Sequence, residues 1–555
     1  MGGAGVSDPA PEPADVPDQR RAGPADQRAG RMRLAVFAGI ALALAVPAGL
    51  GARQVTDGSL SELESSASSQ MPREALAAAT SSSWYCAGPR GESGTTPGFV
   101  DIANRLRREV RGSVSWQNEF GPPVVAALSV PASSQVALAS PITKGSFSAA
   151  DVELEGGRSS AWQASGGPGG ETVGPCSPYT AANWYFAGGD ADGEDRLIYL
   201  LFNPTATDAT ASITFASSGG VIADPAYQGL FVPAHALVEE DVSARLFSDG
   251  AVGTSVTCRR GSVVAFQVEL RPPSRSSVTS PARPAGTGAV DVVLGAPSAG
   301  PVWYFPEGTT TPSTPEHLYL YDPGSTASTV RVKVGLDAGE ASPLTVSVPA
   351  DSVADVDMSG QPRIPAGVGE SISAVVTHGS PVVAMQAVGT PPPSTMSTAL
   401  ETVSNGGTAS PWLSTVLGAR VASRHWVLAG MPPSITRSGG GAAGGTEATG
   451  SGDSRPASAG GPELGGGGGP GLSIAIQNPG RRRVSVSVSR FGEPGSLPGM
   501  GHIVIGAGSH AYFGVGVESG MALLITSTGP VVSEEQWVVV GLPGWTASAG
   551  VLGSG

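Results

Sequence analysis

A tryptophan motif that recurs four times along this 555-residue chain constrains the fold more than any other feature of the sequence. Each copy joins the Trp to aromatic or apolar neighbours and then to a small residue. The copies are Trp84-Tyr85-Cys86-Ala87-Gly88, Trp184-Tyr185-Phe186-Ala187-Gly188, Trp303-Tyr304-Phe305-Pro306-Glu307-Gly308 and the degenerate Trp426-Val427-Leu428-Ala429-Gly430. An apolar run follows each copy and ends in Asn or Asp, at Asn104, Asn203, Asp322 and Asn478. Such self-similarity indicates one structural unit used four times.

The spacing of these landmarks agrees between the copies once one segment is set aside. The first three offsets from Trp to Asn or Asp are 20, 19 and 19 residues, whereas the fourth is 52. Residues 438–469 form a 32-residue stretch dominated by Gly, Ala, Ser and Thr, which is typical of a flexible insertion, and removing it leaves 52 − 32 = 20. A third landmark follows in every copy, at Val130-Pro131-Ala132, Val232-Pro233-Ala234, Val348-Pro349-Ala350 and Ile505-Gly506-Ala507.

The residues between the landmarks predict strands. Residues 330–334 and 484–489 alternate apolar and polar side chains, as strands with one buried face do. Gly and Pro together account for 80 + 48 = 128 of the 555 residues, which favours many turns over long helices. Units of about 100 residues with six to eight short strands are typical of β-sandwiches, and propeller blades of about 40–50 residues fit less well.

The sequence therefore predicts an all-β chain of tandem antiparallel, Ig-like β-sandwich units preceded by one transmembrane helix. The expected units are 81–178 (unit one), 181–298 (unit two), 299–405 (unit three) and 410–553 (unit four, with its Gly-rich insertion at 438–469).

An uncharged apolar segment near the N-terminus predicts the membrane anchor. Residues 34–52 would span about 28 Å as a helix, close to the hydrocarbon thickness of a bilayer. Arg28, Arg31 and Arg33 precede the segment and only Arg53 follows it closely, which favours a cytoplasmic N-terminus. We therefore expect a single-pass cell-membrane protein whose C-terminal bulk is extracytoplasmic.

The flanks of this segment complete the expected N-terminal organisation. Residues 1–33 are polar and rich in Pro and Gly, which is typical of a disordered tail, and 53–80 would form a spacer. A cleaved signal peptide is the alternative reading of 34–52, although Leu50-Gly51-Ala52 places a large residue where the cleavage site needs a small one.

Cysteine usage agrees with export to an oxidising compartment. Cys86 and Cys176 both lie in unit one and are candidate disulfide partners, whereas Cys258 stands alone in unit two. Three independent buried thiols are the alternative. For Cys258, a buried thiol is favoured over an intermolecular bridge.

Composition and motifs argue against several function classes. The formal net charge of −14 disfavours a nucleic-acid partner, because phosphate binding needs clustered Lys and Arg. No HExxH, CxxC, Gly-x-Ser-x-Gly or P-loop pattern occurs, so we expect no metal, no cofactor and no catalytic residue. The adjacent acids Glu239-Glu240 and Glu534-Glu535 would point to opposite faces of a strand and could not act as a glycosidase pair.

The aromatic residues of the Trp motif have a structural and a functional interpretation. A Trp at the same place in every unit is expected to fill that unit's core. The middle residues Tyr85, Tyr185 and Tyr304 are the better, though weak, candidates for stacking on a sugar ligand. The structural alternative is that they pack on the other face of the strand.

The Trp motifs, the Asn-Pro after an apolar strand, the Val-Pro-Ala turn and the N-terminal anchor together resemble the actinobacterial DUF5719 family, over about residues 81–550. The resemblance implies an exported protein and transfers no catalytic residue. We predict a non-catalytic, membrane-anchored cell-envelope interaction or scaffold protein that binds an envelope protein or glycan. A glycan-binding ectodomain is the alternative, and an envelope hydrolase is the less favoured one.

Overall fold

The computed structural model describes most of the chain from Gln70 to Ser554. The described ranges are 70–89, 98–142, 147–167, 170–189, 195–246, 250–271, 289–308, 315–336, 339–365, 369–389, 413–431, 471–515, 521–538 and 545–554. The predicted tail (1–33), anchor (34–52) and insertion (438–469) lie outside them. No helix in the described ranges has the length and apolar character needed to cross a bilayer.

Strands provide the regular structure of every unit. Unit one contains β1 (Ser82–Pro89), β2 (Phe99–Asn104), β3 (Val110–Gln117), β4 (Val124–Val130), β5 (Ser134–Ala139), β6 (Phe147–Leu154), β7 (Ser159–Gly167) and β8 (Gly170–Pro175). Unit two contains β9 (Asn183–Phe186), β10 (Arg196–Asn203), β11 (Ala209–Ser217), β12 (Gly220–Ile222), a 3-10 turn (Pro225–Tyr227), β13 (Leu230–Val232), β14 (Ala236–Asp241), β15 (Gly253–Arg260), β16 (Val264–Arg271) and β17 (Ala289–Leu294).

The same order of strands continues in the second half of the chain. Unit three contains β18 (Val302–Phe305), β19 (Glu316–Asp322), β20 (Ser328–Leu336), β21 (Gly339–Glu340), β22 (Leu344–Val348), β23 (Ser352–Asp357), β24 (Glu370–His378), β25 (Val383–Gly389) and β26 (Leu413–Leu417). Unit four contains β27 (Ser423–Met431), β28 (Gly471–Gln477), β29 (Val484–Arg490), β30 (Ile503–Ile505), β31 (His510–Val515), β32 (Met521–Val538), β33 (Trp545–Ala549) and β34 (Val551–Leu552).

Each unit consists of two antiparallel sheets, which confirms the predicted all-β fold. We call the sheet that holds the Trp-motif strand the Trp sheet, and the sheet whose central strand ends at the Asn or Asp landmark the Asn sheet. In unit one their strand orders are β1-β6-β3-β4 and β5-β2-β7-β8. Units two and three repeat this scheme. In unit four the long strand β32 serves both sheets, pairing with β27 and β29 in one and with β28 and β33 in the other.

The four units close into a ring. One late strand from each unit lies at the centre: β8, β17, β26 and β33 contact one another in cyclic order, and β33 returns to β8. Around this centre the Asn sheet of each unit packs on the Trp sheet of the unit before it, so that β10 contacts β1, β25 contacts β9 and β32 contacts β18. Unit one completes the cycle where β5 contacts β32. Two hydrophobic cores result, one dominated by units two and three and the other by units one and four.

Two predicted boundaries need correction. Residues 70–80 were expected to belong to a spacer, but Met71 and Glu74 are buried, and Arg73 forms a parallel bridge with Leu552 at the other end of the chain. Residues 413–417 were assigned to unit four, but they form β26, which pairs with β25 of unit three. The strand that each unit contributes to the centre of the ring has a long-range role, and this role leaves no signature in the local sequence.

The three landmarks have the same structural roles in successive units. All four motif Trp side chains are fully buried, and the indole N–H donates to a core carbonyl at 2.7–2.8 Å in units two to four. The Asn landmark binds the third landmark, because its side-chain amide donates to the Val or Ile carbonyl. These bonds join Asn104 to Val130, Asn203 to Val232 and Asn478 to Ile505. Asp322 cannot donate in this way and instead accepts from the Ser328 hydroxyl at 2.6 Å.

A left-handed residue follows the third landmark in every unit. These residues and their φ values are Ser133 (48°), His235 (53°), Asp351 (49°) and Gly508 (67°). Each donates its backbone N–H to the turn after the Asn or Asp landmark, with Leu106, Thr205, Gly324 and Gly480 as the acceptors. The repeated geometry explains why the two landmarks keep a fixed separation.

The predicted disulfide is confirmed. Cys86 and Cys176 are bonded, with their Cα atoms 4.7 Å apart, and the bond ties the Trp-motif strand β1 to the end of the central strand β8. Backbone pairing places Cys86 in register with Phe186, Phe305 and Leu428, and Cys176 with Gly295, Gly418 and Gly550. In units two to four a large side chain therefore lies over a glycine where unit one has a covalent bond.

Candidate functional site

The three candidate ligand-binding tyrosines lie between units. The Tyr85 ring meets Phe202 of unit two edge-on, with the ring centroids 6.3 Å apart. Tyr185 packs against the core shared by units two and three, and Tyr304 packs against the core that contains unit four. Burial raises the pKa of both Tyr85 and Tyr185. These contacts favour the structural alternative, in which the rings join neighbouring units.

Aromatic side chains of β19 complete the contact between units two and three. Tyr319 and Tyr321 face Gly188 and Gly253 of unit two so closely that a methyl group at either glycine would lie within 2.7 Å of a ring carbon. Tyr321 is buried and Tyr319 stacks on His317. This joint is apolar and aromatic.

The joint between units three and four is built differently, from carboxyl groups. Four glutamates meet there and a fifth, Glu535, lies next to them on the other face of β32; each is at most 8% exposed. Unit three contributes Glu307, Glu316 and Glu370, and unit four contributes Glu534 and Glu535. Mutual electrostatic interactions link them, with Glu316 and Glu534 each acting on several of the others. We call these five residues the glutamate cluster.

Few hydrogen-bond donors reach the glutamate cluster. The Gln386 side-chain amide donates to Glu316 Oε1 at 2.6 Å and to the Glu307 carbonyl at 2.8 Å. Glu316 and Glu370 share a carboxyl-to-carboxyl hydrogen bond, which requires a proton between them. Glu535 points the other way, into unit four, and accepts from the N–H groups of Ala429 and Gly430 at 2.6 and 3.0 Å.

Burial sets the protonation of the glutamate cluster. Desolvation is the largest cause of a raised pKa at Glu307, Glu370, Glu534 and Glu535, and the neighbouring carboxylates raise it further. The pKa of Glu534 reaches about 8. Burial also raises the pKa of the nearby Tyr512 hydroxyl, with Glu307 adding to the effect. The cluster is thus held largely in its neutral, protonated form.

The glutamate cluster departs from the repeat. In register, Glu307 matches Gly188 of unit two, Glu316 matches Leu197, and Glu534 matches Phe266. The prediction that the adjacent acids Glu534 and Glu535 point to opposite faces of their strand is confirmed, since Glu535 accepts from Ala429 and Gly430 of unit four whereas Glu534 lies near Glu307 of unit three. A pattern of adjacent acids does not reveal the cluster, because its members come from three separate strands and the segment after β18. For Glu307, Glu316 and Glu534, the signal that could have found it was an acid at a position that is apolar or Gly in unit two.

The other acidic pair, Glu239-Glu240, lies on β14 of unit two. Glu239 hydrogen-bonds with Glu119 of unit one, and burial raises its pKa with Glu119 as the next cause. Of the described residues, no group of three or more His, Cys, Asp or Glu side chains has an arrangement suited to a metal ion.

The centre of the ring holds a small cavity. It measures about 60 Å³ and is lined by mostly apolar residues of the central strands, by Gln70, Met71 and Pro72 on one side, and by the polar side chains of Tyr179 and Arg420. A site for a small organic ligand usually needs about 300 Å³ or more, so this cavity admits a few waters at most. Cys258 lies elsewhere, half-buried on β15, and burial raises its thiol pKa to about 11, so the thiol is protonated at neutral pH.

Among the described edge strands that lie across the Trp sheets from the Trp-motif strands, β4 of unit one is the longest. β4 is the outer strand of its Trp sheet, seven residues long and uncharged, and residues 124–127 are all exposed. Phe120, 58% exposed, lies in the turn that leads into it. The corresponding edges are shorter: β12 and β13 with three residues each, β21 and β22 with two and five, and β30 with three. Short and broken edges block strand addition, whereas β4 leaves it open.

Comparison with known proteins gives one family match. A family model described as "Family of unknown function (DUF5719)" matches residues 132–410. The search of curated proteins produced no match.

Two solved structures show limited similarity. The Crystal Structure of Thermotoga maritima 1070 is 16% identical and covers 22% of this chain and 94% of its own, with a TM-score of 0.17. The Streptomyces avermitilis alpha-L-rhamnosidase complexed with L-rhamnose is 11% identical and covers 78% of this chain and 54% of its own, with a TM-score of 0.11. At these TM-scores neither structure supports an argument about this chain.

Proposed function

The chain belongs to DUF5719, a family of unknown function, and from that premise we propose that it is a non-catalytic scaffold of the cell envelope, anchored by residues 34–52 with its bulk outside the cytoplasm. The ring presents β4 to a partner. The partner adds an extended, uncharged apolar segment as a further strand on the Trp sheet of unit one.

The open edge of β4 is the observation that carries this proposal. An edge strand presents unpaired N–H and C=O groups, and a partner strand satisfies them by β-augmentation. A partner segment without charges fits best, because β4 carries none and the exposed Val124, Val125 and Phe120 offer apolar contacts.

The rival functions have less support from the same geometry. Glycan recognition by Tyr85, Tyr185 and Tyr304 would need free ring faces, whereas these rings pack against neighbouring units. Hydrolysis would need carboxyl groups that a substrate can reach, and the converging glutamates of units three and four are almost fully buried.

Photo-crosslinking of the full-length protein in living cells tests the proposal. A photoreactive residue replaces the exposed Ser129 of β4 in one variant and the exposed Ser347 of β22 in a matched control. We expect a discrete adduct from position 129 only, which disappears when Val125→Lys and Ala127→Lys add charges to the edge. Equal adducts from both positions, or an adduct that survives the two lysines, would overturn strand addition at β4. An adduct between two copies of this chain would overturn the proposal of a separate partner and would show that β4 mediates self-association.

A further inference from the structure

The glutamate cluster lies at a joint that the ring needs for closure. Glu307 follows β18, Glu316 begins β19 and Glu370 begins β24, all in unit three, whereas Glu534 belongs to β32 of unit four. The two units also meet where the Gln477 side-chain amide donates to the Ser373 hydroxyl at 3.0 Å. Any charge that develops in the cluster therefore develops inside the contact between two units.

Polar atoms in this region remain without partners, although they are buried. Gln386 and Ser371 are both fully buried, yet Gln386 Oε1 and Ser371 Oγ have no hydrogen-bond partner among the described residues. The same holds for Glu307 Oε2. The Gln386 amide lies inside the cluster, since its nitrogen binds Glu316. Buried acceptors without a donor favour protonated carboxyl groups, which can donate a hydrogen bond, over carboxylates, which can only accept.

The titratable groups around the cluster come from every element packed there. Besides the five glutamates they are Tyr512 and His510 on β31 and Glu340 on β21. Among the described residues that act on Glu307, Glu370 and Glu534, none is a Lys or Arg. Deprotonation would thus place like charges together in a medium of low dielectric, which is far more costly than in water.

We propose that the joint between units three and four is proton-gated: it is closed while the glutamate cluster is protonated, and it opens when these carboxyl groups release their protons to water. The joint between units two and three has no such response, because Tyr319 and Tyr321 pack on glycines there.

The direction of the pH dependence follows from linkage. The closed joint holds protons that the opened, solvated carboxyl groups would release above about pH 4.5. The closed state is therefore fully stable below that pH and loses stability as pH rises, up to the raised pKa of the closed state, which is about 8 for Glu534. Within this window the opening constant should rise about tenfold per pH unit for each carboxyl group that titrates.

Spin-label distances in the detergent-solubilised full-length protein test the proposal. In a Cys258→Ser background, one pair of labels at the exposed positions Ser347 and Arg483 spans the gated joint. A control pair at Ser347 and Arg259 spans the joint of units two and three. We expect one short distance across the gated joint at pH 5 and a second, longer population at pH 9, with no change in the control pair.

Glutamate-to-glutamine substitutions distinguish opening of the joint between units three and four from general unfolding. Glu307→Gln with Glu534→Gln should keep the joint closed from pH 5 to pH 9, whereas the exposed Glu493→Gln should open like the unsubstituted protein. Identical distances at pH 5 and pH 9 in the unsubstituted protein would overturn the proposal. So would equal opening of the double Gln variant, or opening of both joints together. Far-UV circular dichroism at pH 5 identifies a double Gln variant that fails to fold, and Glu370→Gln then replaces it.

Discussion

At the residue scale, the pairing of a large side chain with a glycine is the device that replaces the disulfide of unit one. A methyl group at Gly295 would lie 2.7 Å from the Phe186 ring, and one at Gly418 would lie 2.6 Å from the Phe305 ring. Both rings are fully buried, so they cannot move aside into solvent. The large and small residues of each pair therefore depend on each other.

We expect Gly295→Ala to lower the free energy of unfolding by about 1–3 kcal/mol, because overpacking forces the ring or the backbone to shift. Gly514→Ala is the control, since nothing lies within 4 Å of the methyl group it adds, and it should leave stability unchanged or raise it. Chemical denaturation of the two variants measures the difference. Equal stability of both would show that the close approach at Phe186 carries no constraint.

At the scale of strands, the disulfide joins β1 to the end of β8, and units two to four make the same junction without a covalent bond. The 90-residue separation of the two cysteines means that the bond removes much freedom from the unfolded chain. A cavity of about 20 Å³ lies beside Cys86 and gives a larger side chain some room. Substituting the residues at positions 86 and 176 can therefore separate the covalent contribution to stability from the packing contribution.

We expect Cys86→Ala with Cys176→Ala to lower the unfolding free energy by about 2–5 kcal/mol. Cys86→Phe with Cys176→Gly transplants the pair of unit two and should recover part of that loss through packing, though not the covalent constraint. Denaturant unfolding under non-reducing conditions compares the two variants with the unsubstituted protein. A transplanted pair less stable than the alanine pair would refute the equivalence of the two junctions.

The strands and units could be predicted from sequence because their determinants are local. The buried Trp side chains, the alternation of β20 and β29, and the Asn landmark all act within one unit. The assignment of β26 and the closed ring could not, because they depend on contacts between residues far apart in the chain. The same holds for the glutamate cluster, whose members are separated by up to 228 positions, 535 − 307. Sugar binding by Tyr85, Tyr185 and Tyr304 stays a prediction. Their packing between units favours the structural alternative.

At the scale of the whole molecule, the two ends of the described chain meet and close the ring. The Glu74 N–H donates to the Leu552 carbonyl at 3.0 Å, and the Leu552 N–H donates to the Pro72 carbonyl at 2.9 Å. The Glu74 carboxylate, which is 1% exposed, pairs with Arg105 of unit one at 3.0 Å and accepts from the Ser554 N–H at 3.1 Å. Burial raises the pKa of Glu74, and Arg105 opposes that rise. Unit one, unit four and both ends therefore meet at one carboxylate.

Replacing Arg105 with Met should destabilise the contact between units one and four that closes the ring. The substitution leaves a buried carboxylate without its cation, which typically costs about 3–5 kcal/mol, and the cost falls on the contact between first and last units. Arg111→Met is the matched control, because Arg111 pairs with Glu109 at 2.7 Å on the exposed surface, where ion pairs contribute little. Glu74→Gln added to Arg105→Met removes the stranded charge and should restore part of the stability. Thermal unfolding distinguishes the three variants, and equal effects of the two arginine substitutions would show that the ring closes without this pair.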